Sequence, residues 1–214
     1  MDNQSTQAWE GWSIVGAVAI ALILGVTVVA MMAMEPVDGI RGIIRMTARV
    51  SFALFALAFT ASAAWRFWPN LWTRWQLRNR RYLGVSFAVS HTVHLLAIFA
   101  LGRVAPAELA AEANAVTWIF GGLAYVFIAL MTLTSFDSTA RLIGPRAWSA
   151  LHTIGAYYIW LIFANSYLSR AAVMPAYVPV AALVIFILGL RIAALISKSR
   201  SRSPLARRHV VDGR

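Results

Sequence analysis

Six apolar stretches of about twenty residues, each closed by polar or helix-breaking positions, divide the chain at 12–34, 47–67, 82–101, 116–136, 147–168 and 177–196. A helix rises about 1.5 Å per residue, so roughly 20 apolar residues cross the hydrocarbon core of a bilayer. The breaks carry the residues expected of helix ends. Glu35, Pro36 and Asp38 follow the first stretch, Pro69 and Asn70 the second, the segment 137–145 the fourth, and Pro175 precedes the sixth. Pro145 stands where a helix can begin without losing a backbone hydrogen bond. The pattern predicts an all-α fold, a polytopic membrane bundle of about six transmembrane helices over residues 1–196, with a basic tail at 197–214.

Composition agrees with that reading and excludes others. Of 214 residues, 60% are hydrophobic and 13% charged, too few to cover a water-soluble globule, whereas a lipid-facing exterior needs no such cover. The net charge of +11 comes from 18 Arg and one Lys gathered in short stretches between apolar runs, which argues against nucleic acid as a partner and for the lipid bilayer. Cysteine is absent, excluding disulfides and thiolate-held metals but not haem held by imidazole. The first apolar run follows mildly acidic residues and is about twice the length of a signal-peptide core, so a cleaved leader is not expected.

The positive charges also predict orientation. Arg66, Arg74, Arg78, Arg80 and Arg81 surround the second loop, Arg141 and Arg146 lie in the fourth, and Lys198, Arg200, Arg202, Arg207 and Arg208 lie in the tail. By the positive-inside rule these are cytoplasmic, which places both termini inside in a plasma or bacterial inner membrane. Trp65, Trp68, Trp72 and Trp75 bracket the second loop as an interfacial aromatic belt. The tail reads as a flexible basic segment on an anionic membrane surface. No glycine-rich βαβ unit is present to bind a flavin or nicotinamide.

Ionisable groups within spans are costly and mark functional positions. Three of the four histidines qualify: His91 and His94 on the third span and His152 on the fifth, with His209 in the tail. His91 and His94, three residues apart, share roughly one helix face, and imidazoles from two helices around a planar apolar cofactor are how a bundle holds a b-type haem. The same histidines could instead serve only as hydrogen-bonding links between helices. Gly84, Gly121, Gly122 and Gly155 make room for either a macrocycle or close helix packing. Arg49 and Arg191 read as snorkelling to the interfaces, and Tyr157, Tyr158 and Trp160 stand between the levels of His152 and Asn165.

The run Arg80-Arg81-Tyr82-Leu83-Gly84, His94 ten residues after that glycine, Trp148-Ser-Ala-Leu-His152, and the second-span run Thr47-Ala-Arg-Val-Ser-Phe-Ala-Leu with Thr60-Ala-Ser resemble the ferric reductase-like transmembrane superfamily. The resemblance extends over residues 47–168. Relatives include the haem-binding membrane subunit of the methionine sulfoxide reductase system, six-transmembrane metalloreductases and the membrane domains of NADPH oxidases. It implies a bundle that passes electrons from a cytoplasmic reduced flavin through haem to an acceptor at the outer face. In that family a second histidine commonly follows the first by 13 residues on the fifth helix, where this chain has Asn165. The inner ligand position on the third helix is here Arg80. Neither family pair, His94 with Asn165 or Arg80 with His152, is therefore complete. Two counts relate His91 to His152 differently. The family alignment sets them some 16 Å apart in depth, and counting from the flanking arginines sets them about 6 Å apart.

These readings lead to an expected b-type haem electron-transfer subunit with one haem. Its iron ligands are drawn from His94, His91 and His152, with at least one expected from the third span, His94 first for its match to the family position and His91 as the fallback. A separate cytoplasmic flavoprotein supplies the reductant by docking on the loop that carries Arg74, Arg78, Arg80 and Arg81. The alternative is a haem-free membrane protein on the same scaffold with an assembly or interaction role. A transporter fits less well, since no pair of spans shows midplane interruptions.

Overall fold

A computed structural model of the chain describes residues 10–202. Within them the chain forms α1 (Trp12–Met32), α2 (Pro36–Phe67), α3 (Leu71–Val104), α4 (Pro106–Glu112), α5 (Ala115–Leu133), α6 (Asp137–Ala171), a 3-10 turn at Pro175–Tyr177, and α7 (Val178–Arg202), with no strand among the described residues. Six of the helices are long and apolar enough to cross a membrane. The protein is an all-α polytopic membrane bundle.

The helices outrun the apolar stretches because a helix does not stop where hydrophobicity does. α2 starts at Pro36, in the first turn where a missing N–H costs nothing, and its polar first turns persist because Arg41 lies 2.7 Å from both Glu108 and Glu112 of α4. α3 begins at Leu71, eleven residues before its apolar stretch. The Asn70 side chain accepts from the Thr73 N–H at 3.0 Å, and the Asn70 N–H donates to Thr73 Oγ1 at 3.1 Å, a reciprocal cap. Arg74, Arg78, Arg80 and Arg81 are accordingly helical residues, not members of a loop. The helix α4 was not expected; Pro106 opens it, and Leu109 covers Gly102 of α3. α7 continues through Arg202, so the tail is helical over 197–202, and Ser197 Oγ accepts from the Arg66 guanidinium at 3.0 Å. Arg207, Arg208 and His209 lie outside the described residues.

α2 and α3 form the central pair, α1 packs on both, α7 joins α2 to α6, and α5 leans on α6. The core is aromatic, with Phe52, Phe55, Phe59, Phe87 and Phe163 all buried. Outward positions on α1 such as Ile23, Leu24 and Met31 are exposed, as expected of lipid-facing residues. The two ends of the bundle differ. At the arginine-rich end, Trp12 packs on Tyr82 and Phe136, the Gly11 N–H donates to Asn79 Oδ1 at 2.9 Å, and Arg78 pairs with Glu10. The described start of α1 and the end of α7 therefore lie at the same end. Trp65, Trp68 and Trp72 are exposed there, and Trp72 stacks on the half-buried Trp75 at 4.9 Å.

Candidate functional site

α6 is two helices joined at a break. Gly144 has φ 76° and ψ 164°, and Pro145 restarts the helix as the sequence suggests. The reversal brings Trp148 back against the end of α5, where its indole N–H donates to Thr134 O at 2.9 Å. One turn further on, the imidazole of His152 stacks on Trp148 at 4.3 Å, with Nε2 3.0 Å from Thr134 Oγ1. The Thr134 hydroxyl donates its one proton to Leu130 O at 2.7 Å, leaving lone pairs for His152. Nε2 is thereby assigned as the protonated nitrogen and Nδ1 as the one with a free lone pair, the division of roles found in ligating histidines. Thr134 carried no signal in the sequence beyond its place at a span end.

Beside His152 lies a cavity of about 500 Å³, within the roughly 300–1,000 Å³ usual for cofactor and small-molecule sites. Phe55, Phe59, Phe87 and Ile159 give it apolar walls, and Gly84 leaves space above α3, with no atom within 4 Å of where a Cβ would stand. Gly155, by contrast, serves packing. A Cβ there would meet Met131 at 2.5 Å. Gly121 and Gly122 likewise have nothing near them, but they lie on α5 away from this cavity's lining.

His91 and His94 stack on one another at 5.1 Å on the face of α3 that meets α2 and α5. His94 Nδ1 lies 3.1 Å from both Ile44 O and Thr47 Oγ1, and Thr47 already donates to Ile43 O at 2.7 Å. Nδ1–H therefore donates, leaving Nε2 with the lone pair. His91 is hemmed in by rings: Phe87 at 5.3 Å, Tyr125 at 5.0 Å and Phe163 at 6.1 Å. Its buried Nδ1 has no hydrogen-bond partner among the described residues. Phe163 follows His152 by eleven residues on an unbroken stretch of α6, so the pair sits about 16 Å from His152 in depth. That spacing excludes a single iron shared by the two helices. The 6 Å count fails because it assumes that α3 and the fifth span begin at the same level.

Asn165 is exposed, on the flank of α6 away from the buried Phe163, Ala164 and Tyr167. Thirteen residues turn a straight helix by about 140° from its starting direction, so His152 and position 165 do not face one centre here. Phe163 faces His91, and two residues turn a helix by about 200°, so Asn165 points away from the His91 and His94 pair.

The arginines are differently employed from one another. Arg81 bonds Asp137 at 3.0 Å, Arg78 is held by Glu10, Arg80 donates to Ser62 Oγ at 3.1 Å and lines the cavity, and Arg74 is exposed with no ion pair among the described residues. Arg191 does not snorkel. It donates to Phe59 O at 2.7 Å with its guanidinium 4.3 Å from the Phe59 ring and 5.2 Å from Tyr157, on the wall of the same cavity. Arg49 is exposed, as expected of a snorkelling residue. Tyr158 and Trp160 tie helices together, donating to Phe120 O and Val184 O at 3.0 Å each.

Among the described residues no group of three or more His, Cys, Asp or Glu side chains forms a metal site. Among the described residues the cavity's lining offers one imidazole that would hold a haem iron, that of His152. No protein-family model, curated protein or solved structure matches the chain.

Proposed function

We propose that the chain is a membrane-embedded b-type haem electron-transfer subunit in which His152 would hold one haem, passing electrons from a cytoplasmic flavoprotein to an acceptor at the outer face. The observation that carries this reading is a cavity with aromatic walls whose lining includes His152, a histidine fixed by Trp148 and Thr134 with its Nδ1 lone pair left free. When bound, the haem supplies a one-electron carrier that no side chain here provides. The chain's residues do the rest. His152 would hold the iron, Trp148 and Thr134 orient its ring, and Phe55, Phe59 and Phe87 would exclude water from the cofactor face. Beyond the cavity the path toward the outer face is packed with rings: Phe55 to Phe163 at 5.4 Å, Phe163 to Phe52 at 5.3 Å, and Phe52 to Tyr167 at 5.0 Å. His91 and His94 in this reading link helices outside the haem site.

A second reading, a haem-free membrane protein with an assembly or interaction role, draws support from the single imidazole on the cavity. An absorption spectrum of the protein purified in detergent after expression with ample haem separates the two. A Soret band that stays with the protein is expected, and its absence leaves the haem-free reading.

We also place the arginine-rich end on the cytoplasmic side, by the positive-inside rule. Reporter fusions after Gly213 and between Val104 and Ala115 are expected on opposite faces of the membrane, and a common side would overturn the topology.

Of the four arginines of α3 considered for docking, Arg78 and Arg81 are paired with Glu10 and Asp137 and Arg80 lines the cavity, which leaves Arg74 exposed with no ion pair among the described residues, so the flavoprotein surface centres on it. Arg74→Glu is expected to slow reduction of the membrane component several-fold at low salt and less at high salt, because steering by an exposed charge is screened. Stopped-flow reduction across ionic strength measures this. A rate indifferent to both charge and salt would remove Arg74 from the interface.

A further inference from the structure

We infer that the cavity's ligand carries two acidic groups and that Arg191 and Arg80 receive them, an assignment that rests on the haem reading and names the polar end of that site. Three cations, Arg80, Arg81 and Arg191, line the cavity against one carboxylate, Asp137. Arg81 is paired with Asp137 at 3.0 Å, the cavity's one carboxylate. Arg191 and Arg80 form no ion pair among the described residues. Each has one described hydrogen bond, to Phe59 O and to Ser62 Oγ, of the five N–H groups a guanidinium offers.

These two anchors are three residues apart on α2 and so share one face of it, with Arg191 arriving from α7 and Arg80 from α3. The rings of Phe59 and Tyr157 hold the Arg191 guanidinium in place without neutralising it. Arg191 is half-buried and Arg80 exposed; a half-buried cation in a membrane bundle is costly without a counter-charge, and the planar fork of donors on each suits a carboxylate. The apolar walls on one side and two guanidiniums on the other therefore select a flat apolar body with two acids at one edge, as a porphyrin dicarboxylate has. An anionic lipid headgroup offers related acid chemistry from the bilayer, and the test separates the two sources.

Protein produced under haem limitation and placed in phosphatidylcholine nanodiscs is titrated with haemin, with metal-free protoporphyrin IX, and with the dimethyl esters of both. The diacids are expected to bind about tenfold or more tightly than the esters, the scale of lost charge-assisted hydrogen bonds. Arg191→Gln and Arg80→Gln are each expected to remove most of that preference while leaving ester affinity unchanged, which also shows that the variants are folded. Arg191→Lys should restore part of it. His152→Ala should leave metal-free porphyrin binding intact while weakening haemin binding and changing its spectrum.

Equal affinity for diacid and ester, with a haemin spectrum still dependent on His152, overturns the acid assignment and leaves the haem reading standing. Failure of every porphyrin to bind removes both. If phosphatidylglycerol stabilises the protein through Arg191 while porphyrin acids make no difference, the arginines serve lipid and the inference is wrong.

Discussion

Replacing His152 by Ala is expected to lower the haem retained on purification by about tenfold or more, each tenfold corresponding to about 1.4 kcal/mol of binding. The His91→Ala/His94→Ala double variant is expected to keep its haem with an unaltered visible spectrum. The contrast follows from space and depth. All three imidazoles lie within spans, and both His94 and His152 have one nitrogen engaged and the other free. Only His152 faces a cavity of about 500 Å³, whereas His91 and His94 sit about 16 Å away in depth, behind Phe87 and against Tyr125 and Phe163. Filling the His91 and His94 sites with a macrocycle would require those buried rings to move, and close-packed interiors resist that. Thr134→Val adds a finer test of positioning. It removes the oxygen that fixes the His152 tautomer while leaving the ligand itself, so haem should remain but with shifted Soret position or potential. Haem loss in the double variant with full haem in His152→Ala would move the site to the outer half of α3 and α2.

The six spans were legible because apolar runs of about twenty residues report directly on the bilayer that they cross. Their helical ends were not. α2 and α3 begin eleven residues before their apolar stretches, held by the Arg41 ion pairs with Glu108 and Glu112 and by the Asn70 and Thr73 cap, features that hydropathy does not register. The consequence for function was a docking loop that proved to be the first turns of a helix, with two of its four arginines already paired to Glu10 and Asp137. The histidines were found as residues, since imidazoles in spans are rare, but their grouping was not. Depth depends on where each helix starts relative to its neighbours, and that is a tertiary property. Arg191 shows the same limit. Its place near a span end suggested a side chain reaching for water, whereas packing turned it onto Phe59 and Tyr157. Thr134 gained its role only from the fold-back of α6, which no local pattern announces apart from the Gly144-Pro145 pair.

That pair supports the other large expected effect. Gly144→Val is expected to lower the thermal unfolding temperature by several degrees and to weaken haem retention in parallel, though the residue does not touch the cavity. With φ 76° and ψ 164° Gly144 occupies a backbone region open essentially to glycine alone, and placing another residue there costs about 1–3 kcal/mol. Pro145 removes the easy escape, because the residue before a proline is disfavoured in the helical region. The break is also what makes the site. Were residues 137–148 one straight helix, Trp148 would stand about 16 Å along the axis from Asp137, out of reach of Thr134. In the protein Trp148 returns to within 2.9 Å of Thr134 O, and His152 lands on Thr134 Oγ1 at 3.0 Å. Valine at 144 would therefore either hold the strain, which differential scanning calorimetry reads as a lower transition, or shift to the extended region allowed before a proline, which redirects the chain, pulls Trp148 and His152 away from Thr134 and quenches the spectrum. Leu142→Ala, at a side chain 84% exposed two residues earlier, is the control expected to change neither. A Gly144→Val protein with unchanged melting and full haem would show that the imidazole is positioned without this break.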